Sequence, residues 1–210
     1  MSPWQFFIGH RQEILEATAT HLTLVLIAMA IAVLIAVPLG MVIVQRPTLR
    51  NIALGIASVF QTIPSLALFG FLIPMPFIGG IGRRTAIVAL VLYALLPILR
   101  NTYVGLTGID AAVLQAAEAM GMTNTQILWR VRLPLALPVI LAGIRTATII
   151  TIGVATIAAA IGAGGLGTFI FRGVAMVSNA VILAGAIPAA LLAILADVLL
   201  AWLERRLKVV

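Results

Sequence analysis

The sequence predicts an all-α integral membrane protein with five transmembrane helices, an N-terminal interfacial helix and a two-helix loop on the cytoplasmic side. Three observations predict it. Apolar residues fill 63% of the 210 positions and charged residues only 9%, where a soluble domain carries about 25% charged residues. Runs of spanning length recur along the chain, and a span needs about 20 apolar residues to cross the hydrocarbon. One stretch, 110–134, breaks this pattern with charged and helix-capping residues. Residues 1–210 read as one membrane domain.

Before the first run, Trp4, Phe7, Ile8, Ile14, Leu15 and Leu22 recur at helical spacing with Arg11, Glu13 and Glu16 between them. That pattern fits an amphipathic helix lying in the interface; a frayed tail is the plainer alternative. The first run, 22–44, exceeds the apolar core of a signal peptide and ends in Gln45-Arg46-Pro47 with no small-residue cleavage site, so it reads as a retained span. The second, 52–73, holds Pro64 beside Gln61, Thr62 and Ser65. The third, 85–99, is short and contains Pro97, and is expected to continue as helix through Asn101 and Tyr103. The fourth, 139–161, is interrupted early by Arg145, and the fifth, 181–203, carries Pro188 and, near its end, Asp197.

Five crossings put the termini on opposite sides. One side then holds four cations, Arg11, Arg83, Arg84 and Arg172, and the other eight: Arg46, Arg50, Arg100, Arg130, Arg132, Arg205, Arg206 and Lys208. The positive-inside bias places the richer side in the cytoplasm, with the N-terminus outside and the C-terminus inside. Arg83 and Arg84 are discordant. The net charge of +7 would suggest nucleic acid in a soluble protein, but basic residues that flank apolar runs set membrane orientation instead, so no nucleic-acid partner is expected. The chain has no cysteine, which excludes a disulfide framework and thiolate metal sites.

Within 110–134, Asp110 can cap a helix over 111–120, rich in Ala, Leu, Gln, Glu and Met. Gly121 stands where a left-handed terminator is wanted. Thr123 and Gln126 have the spacing of a capping box for a second helix over 124–132, which should stop near Pro134. Two short helices joined by glycine make a compact knob. Val113, Leu114, Ile127, Leu128 and Val131 could seat it in a partner's groove, with Trp129 and Arg130 as anchors; packing on its own bundle is the alternative.

The motif inside this knob resembles a known family. Permeases of binding-protein-dependent ABC importers carry a cytoplasmic motif of Glu-Ala-Ala, three residues, Gly, nine residues, Ile-x-Leu-Pro. Here Gln115-Ala116-Ala117, Gly121 and Val131-Arg132-Leu133-Pro134 match that spacing throughout. Gln115 and Val131 depart from the family's Glu and Ile, and the lost carboxylate removes any charge-dependent contact made there. The resemblance implies a type I importer permease in the bacterial cytoplasmic (inner) membrane. Gln115, Ala116, Ala117, Gly121, Val131, Leu133 and Pro134 would couple it to cytoplasmic ATPase subunits, which hold the ATP and magnesium. An extracytoplasmic substrate-binding protein and a second permease copy or paralogue would complete the assembly. No GxxxxGK[ST] loop occurs in this chain, so no cofactor of its own is expected. Three runs, Gln61-Thr62-Ile63-Pro64-Ser65-Leu66-Ala67-Leu68, Leu95 through Tyr103, and Ile161-Gly162-Ala163-Gly164-Gly165-Leu166-Gly167, resemble the osmoprotectant permeases, which import glycine betaine, choline or carnitine.

Gly162-x-Gly164-x-x-Gly167 also matches a dinucleotide fingerprint, but it follows a span rather than a strand; a flexible external turn and a plain tight loop are the two readings left. Arg145 and Asp197 are the only charges well inside apolar runs. They can pair and lock adjacent helices, or each can snorkel to the headgroups. Gln61, Thr62, Pro64 and Ser65 are the candidates for lining a translocation path; the alternative is a packing kink with hydroxyls bonded to their own backbone. A quaternary ammonium is recognised by aromatic faces. Phe60, Phe69, Phe71, Tyr93 and Tyr103 are available, though such a cage is expected on the binding protein. With only His10 and His21 near the N-terminal interface and no carboxylate pair in the bundle, neither a catalytic triad nor a metal site assembles. The competing function is a secondary transporter or channel without an ATPase, which predicts an inverted repeat not seen here.

Overall fold

The computed structural model describes residues 3–76 and 78–207. Lys208, one of the eight cations counted above, lies outside them. All regular elements among the described residues are helical: α1 (Pro3–Gly9), α2 (Arg11–Ile43), α3 (Pro47–Thr62), α4 (Ser65–Leu72), α5 (Arg83–Thr107), α6 (Ala111–Ala119), α7 (Asn124–Ile127), α8 (Leu133–Ile157), α9 (Gly167–Ala175) and α10 (Asn179–Arg206). A π-helical turn, Leu128–Arg132, joins α7 to α8, and a 3₁₀ turn, Ala158–Ile161, extends α8.

Four uninterrupted helices, α2, the α7–α8 rod, α5 and α10, are long and apolar enough to cross a membrane. The second expected span is not one helix. α3 and α4 meet at Ile63-Pro64 with a bend of 105°, because proline cannot donate the next helical bond and pushes the residue before it into extended backbone; Ile63 has ψ 128°.

The third span, the weakest in the sequence, is the centre of the bundle. α5 runs unbroken for 25 residues through Pro97, with Ala89, Leu90, Ala94, Ile98 and Thr102 shut off from solvent. It packs on α2, α3 and α8. Small residues let the backbones close in, as they do where lipid supplies no hydrophobic drive: a Cβ placed on Gly143 of α8 would lie 2.8 Å from the Pro97 carbonyl oxygen.

The two ends of the bundle differ. At one end Gly40 of α2 abuts Thr102 of α5, and Leu106 packs with Ala136 and Ile140 of α8. At the other, His21 of α2 is fully buried and its Nε2–H donates to the Ile152 carbonyl of α8 at 3.2 Å. Gly82 lies near Gly162 there. α2 and α5 therefore run in the same direction, and α8 runs against both.

The N-terminal segment is not one separate amphipathic helix. α1 ends at Gly9, His10 breaks the helical geometry, and α2 begins at Arg11 and continues into the first span. Phe6 and Ile14 turn inward onto Phe169, Val181 and Ala184, and Glu13 forms a 2.8 Å ion pair with Arg172. α9 was not legible in the sequence. It is a short helix, Phe169 and Gly173 inward, led in by three left-handed glycines, Gly162, Gly164 and Gly165. Ala163, Leu166 and Gly167 are buried around that turn and Gly162 is exposed, so of the two readings the tight loop fits better than the flexible turn.

Candidate functional site

The polar segment folds as a capped knob. The Asp110 carboxylate accepts from the Ala112 N–H at 2.9 Å and starts α6. α6 ends in a Schellman turn: the Met122 N–H donates to the Ala117 carbonyl at 3.2 Å and the Gly121 N–H to the Glu118 carbonyl at 2.9 Å. Gly121 takes φ +78° to close it, a conformation that glycine adopts without penalty. Thr123 and Gln126 then form both halves of a capping box, with the Thr123 N–H on Gln126 Oε1 at 2.8 Å and the Gln126 N–H on Thr123 Oγ1 at 3.3 Å.

The second helix of the knob does not stop at Pro134. At the junction the Leu133 N–H donates to the Leu128 carbonyl, five residues back. The widened turn keeps the proline ring off the carbonyl four residues earlier, the clash that otherwise ends a helix. Val131, Leu133 and Pro134 are therefore half-buried parts of one rod from Asn124 to Ile157.

Gln115, Ala116 and Gly121 face solvent. Ala117 does not: only 2% of it is exposed. Expected on the contact face, it is instead turned inward, while Ala111, Ala112, Ala116 and Ala119 of the same helix are exposed. Ile127 is buried too, while Val113, Met120 and Trp129 project outward. Arg132 ties the knob to the bundle by donating to the Leu106 carbonyl at 3.4 Å. A cavity of about 430 Å³ separates the knob from the ends of α2 and α5, lined by Val44, Gln45, Thr107, Leu114, Glu118 and Asn124 among others.

Gln61, Thr62, Pro64 and Ser65 meet at the α3–α4 bend. Thr62 and Pro64 are exposed, Gln61 and Ser65 partly so. Thr62 Oγ1 donates to its own helix, at Val59, over 2.8 Å. The Ile63 carbonyl, which loses its helical donor at the bend, accepts from the Tyr93 hydroxyl of α5. Tyr93 is thereby buried, and Tyr103 is held by Arg50, whose Nη1 donates to its hydroxyl at 2.9 Å while the guanidinium stacks 5.6 Å from the ring centre. Of the other aromatics, Phe69 is fully buried and Phe71 is exposed.

Arg145 and Asp197 meet across α8 and α10. The guanidinium grips the carboxylate through Nε on Oδ1 and through Nη2 on Oδ2 at 2.9 Å. Glu204 lies 3.7 Å from Nη1. The sequence reading missed Glu204, although its position seven residues beyond Asp197 puts it on the same helical face.

The fold is that of a membrane protein: a bundle of long apolar helices bearing one exposed polar knob that runs on into a helix of spanning length. Residues 32–209 match the family model of the binding-protein-dependent transport system inner membrane component, and the chain belongs to that family. It is 48% identical over 195 residues to the carnitine transport permease protein OpuCD of Listeria monocytogenes, covering 92% of this chain and 86% of the relative. It is 46% identical over 203 residues to the choline transport system permease protein OpuBB of Bacillus subtilis, covering 97% and 92%. With the osmoprotectant import permease protein OsmW of Salmonella typhimurium the identity is 43% over 212 residues, covering 100% and 97%. A solved inward-facing structure of the MetNI methionine ABC transporter superposes with a TM-score of 0.82 at 25% identity over 99% of each chain.

Proposed function

We propose that this chain forms half of the translocation path of an ATP-driven importer for small quaternary-amine osmoprotectants, the class of choline, carnitine and glycine betaine. The observation that carries the coupling is the knob itself: Gln115, Ala116, Ala117, Gly121, Val131, Leu133 and Pro134 fall on a capped helix pair whose second helix continues without a break into α8. Displacing the knob then displaces a transmembrane helix. The substrate class is supported by relatives of 43–48% identity that carry choline, carnitine and osmoprotectant names over nearly their full length.

The chain crosses the membrane five times in this reading. α2 and α5 run in the same direction, so the chain between them has to return across the bilayer, and the bent pair α3–α4 supplies the return. The knob, the end of α2 and the end of α10 share one side. With the knob in the cytoplasm, the N-terminus is outside and the C-terminus inside, as the cation bias requires. The short helix α1, with Trp4 74% and Ile8 59% exposed, lies in the outer interface. Arg172, one of four outer cations, is offset by Glu13.

Cytoplasmic ATPase subunits bind ATP and magnesium and receive the knob, with Val113, Met120 and Trp129 as contacts. A second permease copy or paralogue faces the α3–α4 bend, so that Gln61, Thr62, Pro64 and Ser65 border the path between subunits. An extracytoplasmic binding protein makes the choice of substrate, since Tyr93 and Tyr103 are already engaged within this chain. Uptake of labelled choline, carnitine and glycine betaine in cells lacking other osmoprotectant importers tests this reading. Expression with the cognate ATPase and binding protein should restore uptake of at least one of the three; uptake of none, in cells where the complex assembles, refutes the substrate class.

A further inference from the structure

We propose that Arg145 is a positioning residue that carries movement of the knob from α8 to α10, using Asp197 and Glu204 as two successive seats; this rests on the coupling reading above. Four observations support it. The rod from Asn124 to Ile157 has no break, so α8 moves when the knob moves. Arg145 is the only charged residue on α8, about 18 Å up the helix from Leu133 at 1.5 Å per residue. It reaches α10 with a planar fork that holds a carboxylate in a fixed geometry: Nη2 sits 2.9 Å from Asp197.

The third observation is the second carboxylate. A static lock between two helices needs one partner, and Glu204 brings a second carboxylate to the same guanidinium. Glu204 stands two turns beyond Asp197 on the same face, about 10 Å along the axis. It is 3.7 Å from Nη1, beyond good hydrogen-bond reach but close enough to take the fork after a small shift. Fourth, an open apolar groove of about 330 Å³ runs along α10 beside the pair, lined by Met29, Thr148, Ile152, Leu192, Leu195 and Leu199 among others. Helices that shift by about 1–2 Å, or ratchet by about one turn, between discrete contacts are a known form of two-state device. Arg145 grips Asp197 in this structure, and exchange toward Glu204 would let α10 shift against α8 without leaving the arginine unpaired.

The test uses the complete importer, permease with its ATPase and binding protein, in liposomes, with assembly, ATP hydrolysis and uptake measured together. Glu204→Gln removes only the longer contact near the end of α10, and Arg145→Lys keeps the charge but loses the fork. The relay predicts that both assemble and hydrolyse ATP while uptake falls by about tenfold, within the range for a residue on a coupling route. It also predicts that Glu204→Asp recovers part of that uptake. Uptake within about twofold of wild type in Glu204→Gln, or loss of assembly and hydrolysis along with uptake, overturns it. Gly121→Pro serves as the separate control on coupling: it should lose assembly and hydrolysis together. If that variant couples normally the knob has no coupling role, and the relay that begins there falls with it, whatever Glu204→Gln does.

Discussion

The Tyr93 hydroxyl of α5 donates to the carbonyl of Ile63, the group stranded where Pro64 ends α3. A broken helix inside a membrane is tolerable only where protein satisfies the freed backbone. Tyr93 does this from the bundle centre, and so holds the bend that turns Gln61, Thr62 and Ser65 to the surface. Tyr93→Phe should cost about 1 kcal/mol of stability, the usual worth of one such bond. The check is the thermal midpoint of the detergent-purified complex beside its uptake rate. The midpoint should fall and uptake should fall further than the loss of protein explains. An unchanged midpoint means the bend holds itself.

Gly121 should be sensitive to backbone geometry and not to size. Nothing lies within 4 Å of a Cβ added there, so the cost of substitution is the left-handed backbone alone, about 1–2 kcal/mol for alanine. Asparagine, which tolerates that conformation, should behave close to wild type. Proline cannot reach φ +78°. Co-purification with the ATPase should rank wild type and Gly121→Asn above Gly121→Ala and that above Gly121→Pro. Equal recovery in all four would separate the knob's turn from docking. Ala117→Asp should fail differently, by unseating the knob's own interior, and should lower protein yield as well as docking.

Orientation is directly measurable because the chain has no cysteine. Ile81 is 80% exposed at one end of the bundle and Met120 74% exposed on the knob. Ile81→Cys should react with an impermeant maleimide in intact cells, and Met120→Cys only after permeabilisation. The reverse pattern inverts the topology.

The assembly should contain two permease chains. Native mass spectrometry of the transport-active complex is expected to find two, identical or paralogous. A single one would remove the role given to the α3–α4 bend, whose polar residues would then face lipid.

The sequence made the knob legible almost atom by atom, because caps are local chemistry: Asp110, Gly121, Thr123 and Gln126 each act within four residues. Its errors were tertiary. Pro64 and Pro134 carry the same local signal, yet one breaks its helix and the other does not, since a π turn absorbs Pro134 while the bend at Pro64 is braced by a residue 30 positions away. Ala117 could not be assigned to an inner or outer face without knowing where α7 packs. α5 was expected to run on as helix through Asn101 and Tyr103, and it does, to Thr107; its place at the centre of the bundle was not legible, because that burial comes from three neighbouring helices. Arg145 and Asp197 were read as charges that can pair across two spans, and they do; that Glu204 joins them depended on the α8–α10 packing.

The most direct test of the central claim is uptake by purified components. Liposomes should be prepared with the permease alone, and with the permease plus its ATPase and binding protein, with and without internal ATP. Labelled choline, carnitine or glycine betaine should accumulate only when all components and ATP are present. Uptake by the permease alone, down a substrate gradient and at a rate similar to that of the full system, would contradict the account and favour a carrier or channel.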